Sequence, residues 1–234
     1  MNFFEQLINW DKQWLLTINS YHLPWMDRFM WLVSETLVWS PVLLVFLVIL
    51  LRNKGTKTLV ILLAIGLLIL FTDQLSSSII KPLVERFRPT HDPAIGDWVN
   101  VVNNYRGGRF GFVSSHAANV YAFAGFSLLL LRSVPYTIII LLWATLVSFS
   151  RIYLGVHFPL DVICGGLIGF LSAVGVYAIY SRLFEHSRIS RGRNARSDRK
   201  MTGNDFSKTD ISLLNFSLLL LVVTLVIASM KLAW

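Results

Sequence analysis

The chain has 234 residues, of which 55% are hydrophobic and 15% are charged, and its mean hydropathy is +0.61. This composition excludes an ordinary soluble domain, in which about a quarter of the residues are charged. The net charge is +8, but no nucleic-acid-binding module is recognisable, so no nucleic-acid partner is predicted. Cys164 is the single cysteine, which excludes an intramolecular disulfide.

The first segment, residues 3–18, has the periodicity of an amphipathic helix. Its apolar face carries Phe3, Phe4, Leu7, Trp10, Trp14, Leu15 and Ile18. Its polar face carries Glu5, Gln6, Asn9, Lys12 and Gln13. The pattern predicts a helix in the membrane interface with its tryptophans at headgroup depth. A short helix packed on the rest of the protein fits the pattern equally well.

Six apolar blocks of membrane-spanning length follow this helix. They cover residues 28–51, 58–80, 114–131, 134–151, 159–181 and 211–230. We predict an all-α fold: a polytopic membrane helix bundle of about six transmembrane helices plus the N-terminal amphipathic interfacial helix. Residues 1–234 form one integral membrane domain in this prediction, and 211–230 is its C-terminal transmembrane helix. Glu35 and Pro41 fall in the first block and predict that its outer end is irregular.

Basic residues in alternate loops predict the orientation of the helices. Arg52, Lys54 and Lys57 lie between the first two blocks, and Arg132 lies between the third and fourth. Residues 182–210 contain eight Lys and Arg side chains and are predicted to form a basic cytoplasmic loop. The positive-inside rule then places the loops at 81–113 and 151–158 on the outer face of the membrane.

Three polar motifs lie at the ends of apolar blocks on this outer face, where polar groups are costly unless they have a function. Their candidate site residues are Lys81, Arg88, Ser114, Ser115, His116, Arg151, His157 and Asp161. The three cations and the serine-rich start of a helix suit the oxygens of a phosphate ester. His157 and Asp161 are four residues apart, so the carboxylate can orient the imidazole for attack. His116 then remains as the general acid for the leaving group.

The motifs resemble the signature of the type 2 phosphatidic acid phosphatase (PAP2) superfamily, which is related to vanadium haloperoxidases. The family pattern is Lys-x6-Arg-Pro, then Pro-Ser-Gly-His, then Ser-Arg-x5-His-x3-Asp. The first and third motifs are met in full here, whereas Val113 and Ser115 replace the Pro and Gly of the second. The resemblance covers about residues 58–181.

The resemblance implies hydrolysis without a metal or other cofactor, through a phosphohistidine on His157. Asp161 would orient that histidine, and His116 would protonate the leaving lipid. It also implies that Lys81, Arg88, Ser114 and Arg151 hold the phosphoryl oxygens. The cations therefore take the place that Mg²⁺ has in many phosphoryl-transfer enzymes.

The partners implied are the bilayer and a lipid phosphate substrate. The compact chain resembles bacterial members that dephosphorylate undecaprenyl diphosphate, which is the leading substrate in this interpretation. Phosphatidylglycerophosphate, phosphatidic acid and the lipid A 1-phosphate remain alternatives, as does a lipid phosphotransferase that uses the same site. A non-catalytic transporter or scaffold is a further alternative. The expected location is the bacterial cytoplasmic (inner) membrane, with the active site on the outer, periplasmic face.

Four further charged residues have two interpretations each. Asp73 is an intramembrane carboxylate and hence a functional candidate, but a structural role in capping or pairing is the preferred interpretation. Arg86, Arg106 and Arg109 lie in the outer loop, where they either bind a second phosphate or are solvated surface charges. The sequence makes no prediction of the oligomeric state.

Overall fold

The computed structural model describes residues 2–185 and 206–231. Its helices are α1 (Phe3–Asn19), α2 (Pro24–Ser34), α3 (Ser40–Lys54), α4 (Lys57–Gln74), α5 (Lys81–Val84), α6 (Ser115–Leu131), α7 (Val134–Tyr153), α8 (Pro159–Tyr180) and α9 (Lys208–Lys231). The described part of the chain contains no β-strand, and the predicted all-α class is confirmed. Most of the predicted basic loop lies outside the described residues, and Lys208 at its end already belongs to α9.

Five helical runs are long and apolar enough to cross a membrane. They are Thr36–Lys54, Lys57–Val84, Val134–Tyr153, Pro159–Phe184 and Lys208–Lys231. The sixth apolar helix, α6, is shorter, with 17 residues. The predicted bundle of about six membrane helices is therefore confirmed.

The first apolar block, 28–51, is divided into two helices. Glu35 adopts an extended conformation at the end of α2, and a short 3₁₀ turn leads from it into α3. The indole Nε1 of Trp39 donates to the carbonyl oxygen of Val33 at 3.0 Å, which stabilises the break. As a result Ser34 ends α2 at the level of the predicted site.

Helices α6 and α8 form the closest helix pair of the bundle. A Cβ on Gly165 would overlap the carbonyl oxygen of Ser114, and one on Gly169 would overlap that of Ala118. Small residues at such positions let two backbones approach closely. The backbone N–H of Ser114 also donates to the carbonyl oxygen of Asp161 at 2.9 Å. This contact holds the starts of the two helices together.

Helix α1 packs on α7 and α8 through Asp11, Leu15 and Asn19, which are spaced four residues apart and buried. The aromatic side chains Phe3, Phe4, Trp10 and Trp14 of the same helix are exposed. One face of α1 therefore contacts the bundle, and the exposed aromatic residues are typical of a membrane interface.

Arg52 and Lys57, two basic residues around the loop between α3 and α4, lie at the end of the bundle opposite the three motifs. Asn53 at the end of α3 donates to Asp210 at the start of α9, at 3.1 Å. Arg52 lies 3.8 Å from the same carboxylate, and Lys57 donates to the carbonyl oxygen of Phe184. The bundle thus has one basic end and one end that carries the candidate site.

Candidate active site

The eight predicted site residues lie at one end of the bundle, where four helices begin or end. Lys81 is the first residue of α5, which continues the helical run of α4, and Arg151 lies in the last turn of α7. The second motif starts α6, and Asp161 lies in the first turn of α8. Arg88 and His157 lie in the connecting segments between these helices. The separate motifs therefore converge on one site.

Lys81 follows a π-helical turn, Leu75–Ile80, which links α4 to α5. Such turns widen a helix locally and occur frequently at functional sites. The Lys81 ammonium donates to the hydroxyl of Ser115 at 2.5 Å, and that hydroxyl lies 2.9 Å from the hydroxyl of Ser77. Ser115, which replaces the Gly of the family pattern, thus fixes the position of Lys81.

Arg88 is buried in the outer loop and holds three neighbours. Its Nε donates to the carbonyl oxygen of Phe110 at 3.2 Å, and its Nη1 donates to that of Val156 at 3.2 Å. The same Nη1 lies 3.1 Å from Nε2 of His157. Burial, and then the nearby Arg151, lower the pKa of Arg88 from its ordinary value. The like charges are thus close enough to destabilise one another.

Arg151 completes a group that we call the cation cluster: Lys81, Arg88 and Arg151. Its Nη1 donates to the hydroxyl of Ser34 at the break after α2, and its guanidinium lies 5.7 Å from the ring centre of Tyr105. Its Nε is buried and has no acceptor within the described ranges. None of the three cations forms an ion pair with a carboxylate of the described residues. The cluster is therefore suited to bind an anion.

His157 lies between the cation cluster and Asp161. Because a guanidinium only donates, Nε2 of His157 accepts from Arg88, and the ring proton belongs on Nδ1. Nδ1 lies 3.4 Å from Oδ2 of Asp161, although the pair does not meet hydrogen-bond geometry. Such contacts are often loose without substrate. Burial, followed by Arg88 and Arg151, holds the pKa of His157 well below its ordinary value. The imidazole is therefore neutral, as a nucleophile requires.

Asp161 is fully buried and makes two strong contacts besides its approach to His157. Its Oδ2 accepts from the backbone N–H of Phe158 at 3.0 Å, which caps the start of α8. Its Oδ1 accepts from Nη1 of Arg86 at 2.8 Å. This ion pair with Asp161 fits neither interpretation of Arg86, which were a solvated surface charge and a ligand of a second phosphate.

Arg86 also binds Asp11, which our sequence reasoning missed. Its Nη2 donates to Oδ2 of Asp11 at 2.5 Å. A signal for Asp11 is present in the sequence, because it falls in the same stripe of α1 as Leu15, where an apolar residue is expected. A carboxylate on the packed face of a helix requires a partner.

Ser114 and His116 begin α6. The Ser114 hydroxyl accepts from the backbone N–H of Ala117 at 3.4 Å and so caps the helix. His116 is the second residue of α6, is half-buried and contacts the backbone of Ser34. A largely apolar cavity of about 200 Å³ extends from this histidine into the bundle. Its lining includes Trp39, Ile69, Val120, Phe123, Trp143 and Val147.

The remaining charged candidates lie around this centre. Asp73 accepts from the side chain of Asn119 on α6 at 3.4 Å, which agrees with the structural interpretation. Arg106 is exposed. Arg109 is also exposed, and its guanidinium lies over two phenylalanine rings at 5.1 and 5.4 Å. Within residues 2–185 and 206–231, no group of three or more His, Cys, Asp or Glu side chains could hold a metal ion.

Comparison with known proteins identifies the class. Residues 57–185 match the PAP2 superfamily, so the chain belongs to this superfamily and is a multi-pass membrane lipid phosphatase. It is 40% identical to a lipid A 4'-phosphatase of Porphyromonas gingivalis over 185 residues, which cover 79% of this chain and 78% of the relative. It is 42% identical to a lipid A 4'-phosphatase of Bacteroides thetaiotaomicron over 167 residues, which cover 70% and 74%.

Two crystal structures share the fold. The PAP2-type phosphatidylglycerolphosphate phosphatase of Bacillus subtilis superimposes with a TM-score of 0.58 at 23% identity, over 76% of this chain and 88% of that one. LpxE of Aquifex aeolicus superimposes with a TM-score of 0.53 at 28% identity, over 70% and 92%. The architecture of the bundle is thus that of membrane PAP2 enzymes.

Proposed function

We propose that this chain removes a phosphate monoester from a lipid headgroup, with the 4'-phosphate of lipid A as the leading substrate. The reaction passes through a phosphohistidine on His157 and uses neither a metal nor another cofactor. Asp161 orients His157, and His116 is the general acid. The cation cluster and the two serines Ser114 and Ser115 bind the phosphoryl oxygens.

The proposed reaction has two steps. In the first, Nε2 of His157 forms a bond to phosphorus while the bond from phosphorus to the lipid oxygen breaks, and His116 gives its proton to that oxygen. In the second, His116 takes a proton from water, and the water oxygen attacks phosphorus. The phosphorus–nitrogen bond then breaks and releases inorganic phosphate.

One observation carries the proposal: the neutral Nε2 of His157 lies 3.1 Å from Arg88, inside a cluster of three cations that have no carboxylate partner among the described residues. A phosphoryl group bound by these cations would lie close to Nε2, and its lone pair becomes available for attack when Arg88 donates to the phosphoryl oxygens in place of His157. Fixed positive charges stabilise the negative charge on the oxygens of the transition state.

The cavity beside His116 supports a lipid leaving group. Its lining is largely apolar, so it suits a hydrocarbon chain. It reaches the side chain that is proposed to protonate the leaving oxygen. An in-line displacement requires the lipid oxygen to lie on the side of phosphorus opposite His157, and we propose that this cavity holds the lipid there.

The choice of a monoester over undecaprenyl diphosphate rests on the arginine nearest the proposed nucleophile and on the relatives. A diphosphate needs additional cations for its second phosphate. Arg86 is engaged by two carboxylates, and the other outer-loop arginines, Arg106 and Arg109, are exposed to solvent. The two lipid A 4'-phosphatases, at 40% and 42% identity, also favour a phosphorylated glycolipid.

We further propose that the protein lies in the bacterial inner membrane with its site on the periplasmic face. The support is the separation of the basic end of the bundle from the site end. A test is the labelling of a His91→Cys variant in a Cys164→Ser background with a membrane-impermeant maleimide in intact cells. Labelling only after the inner membrane is permeabilised would contradict the proposed orientation.

The substrate is tested with purified protein on lipid A, undecaprenyl diphosphate, phosphatidylglycerophosphate and phosphatidic acid in mixed micelles. Phosphate release gives the rate, and mass spectrometry of the lipid A product shows which phosphate is removed. We expect lipid A to have the largest kcat/KM and to lose its 4'-phosphate. Faster turnover of undecaprenyl diphosphate would refute the monoester choice, and absence of any turnover would refute the function.

Two variants complete the test. His157→Ala should abolish turnover, whereas His91→Ala, an exposed histidine of the outer loop, should not change it. Substrate labelled with ³²P separates hydrolysis from transfer, because label on a second lipid instead of in inorganic phosphate indicates a phosphotransferase.

A further inference from the structure

A network of three charged side chains links α1 to the residue that orients the proposed nucleophile. Arg86 lies between two carboxylates, at 2.8 Å from Oδ1 of Asp161 and 2.5 Å from Oδ2 of Asp11. The second oxygen of Asp11 accepts from the backbone N–H of Leu160 at 2.9 Å. We call Asp11, Arg86 and Asp161 the carboxylate network.

The network is buried and well fixed. The side chains of Asp11 and Asp161 are 1% and 0% exposed, and that of Arg86 is 20% exposed. The Arg86 guanidinium also lies over the ring of Phe158 at 4.1 Å, a cation–π contact. Hydrogen-bonded charge pairs of this kind hold a defined geometry, and removing one member leaves a buried charge without its partner.

Asp161 needs such a restraint because of what surrounds it. It is an anion beside the cation cluster, and its charge acts on Arg88. A carboxylate free to turn about its side-chain bonds would be drawn toward those cations and would occupy the place of a phosphate. Arg86 instead holds Oδ1 on the side facing α1, so that Oδ2 faces Nδ1 of His157 at 3.4 Å.

We propose that Asp11 and Arg86 are positioning residues of the phosphatase: they hold Asp161 in the orientation that presents His157 for attack. This inference rests on the proposed function of His157. Helix α1 is therefore part of the active-site support as well as a surface helix. The proposal assigns no contact with substrate to either residue.

The docking of α1 on the bundle does not depend on Asp11 alone. Asn19 donates to the carbonyl oxygen of Tyr153 at 2.8 Å and to that of Asn100 at 3.0 Å. Lys12 forms an ion pair with Asp92 of the outer loop at 2.8 Å. These contacts allow the charge of Asp11 to be removed while α1 stays in place.

The test compares Asp11→Asn, Asp11→Glu and Arg86→Lys with the wild type in lipid turnover. Asp11→Asn keeps the shape and the acceptor for Leu160 but removes the charge. We expect kcat to fall by about 10- to 100-fold, because small displacements of reacting groups have effects of this size. KM should stay within about twofold, since neither residue touches the lipid. Asp11→Glu should recover part of the loss.

The matched control is Lys12→Gln, which removes the neighbouring charge of α1 and its ion pair with Asp92. It should keep kcat within about twofold of the wild type. Unfolding midpoints in detergent identify any variant that fails to fold. If Asp11→Asn does not fold, Arg86→Lys is used in its place. The inference is overturned if the folded Asp11→Asn and Arg86→Lys variants keep full kcat. It is also overturned if Lys12→Gln loses as much activity as Asp11→Asn.

Failure of the proposed function gives a different result. In that case the wild type turns over no lipid phosphate, or His157→Ala stays active. Failure of the positioning role leaves an active wild type, an inactive His157→Ala variant, and an Asp11→Asn variant with wild-type kcat.

Discussion

Replacing Arg88 by lysine keeps a positive charge in the cation cluster but removes the planar fork of donors. The arginine serves the carbonyl oxygens of Phe110 and Val156 and Nε2 of His157, all at 3.1 to 3.2 Å. A single ammonium cannot reach both carbonyls and the phosphate at once. Each buried carbonyl that loses its donor costs about 1–3 kcal/mol. With two such carbonyls, we therefore expect Arg88→Lys to destabilise the fold by about 2–6 kcal/mol.

The effect of Arg88→Lys on catalysis should be large as well. Loss of one fixed donor to a developing oxyanion lowers kcat by about 10²–10³, which corresponds to about 2.7–4 kcal/mol. The assay is phosphate release from lipid A, together with the unfolding midpoint in the same detergent. The control is Arg106→Lys, an exposed arginine of the same loop, which should change neither quantity. A folded Arg88→Lys variant with more than a third of wild-type kcat would refute the role of the fork.

Three further predictions concern packing, pH and metals. Gly169→Ala should destabilise the protein by about 3 kcal/mol or more, because the new Cβ overlaps the carbonyl oxygen of Ala118. The control is Gly175→Ala, where the Cβ meets open space, and its free energy of unfolding should stay within about 1 kcal/mol of the wild type. The pKa of His157 is well below its ordinary value in the folded state, so below about pH 6.5 only the unfolded state binds a proton at this histidine. The free energy of unfolding of the wild type should therefore fall as the pH drops below about 6.5. Unfolding midpoints from pH 8 to 5 should show a shallower slope in His157→Asn; equal slopes contradict the assignment. EDTA should leave turnover unchanged, and inhibition that Mg²⁺ reverses would contradict the metal-independent mechanism.

The helices could be predicted because long apolar runs leave the chain few alternatives in a membrane. The sequence predicts an irregular end of the first apolar block but not the break at Glu35, because hydropathy does not show at which residue a helix ends. Its position depends on the local contact from Trp39 to the carbonyl oxygen of Val33. Hydropathy also does not predict the π-helical turn Leu75–Ile80 before Lys81, because such a turn changes the direction of the side chains and not the composition of the segment.

The members of the site could be predicted in part. His157 and Asp161 are four residues apart, so helical geometry alone relates them. Arg86 and Asp11 are 75 residues apart, and no local pattern encodes such a pair. Only the unusual place of a carboxylate on the packed stripe of α1 indicates that Asp11 has a partner.

The charges of the site favour a substrate with one phosphate monoester. The cation cluster carries three positive charges, and the carboxylate network has two carboxylates and one arginine, so it carries one negative charge. Three minus one leaves two positive charges. A phosphate monoester carries about −1.5 to −2 near pH 7, which this excess balances, whereas a diphosphate carries more negative charge than the excess of these six residues and needs the exposed Arg106 and Arg109 as well. Asp11→Asn raises the excess by one, so a diphosphate lipid should gain relative to lipid A in that variant even as kcat falls for both.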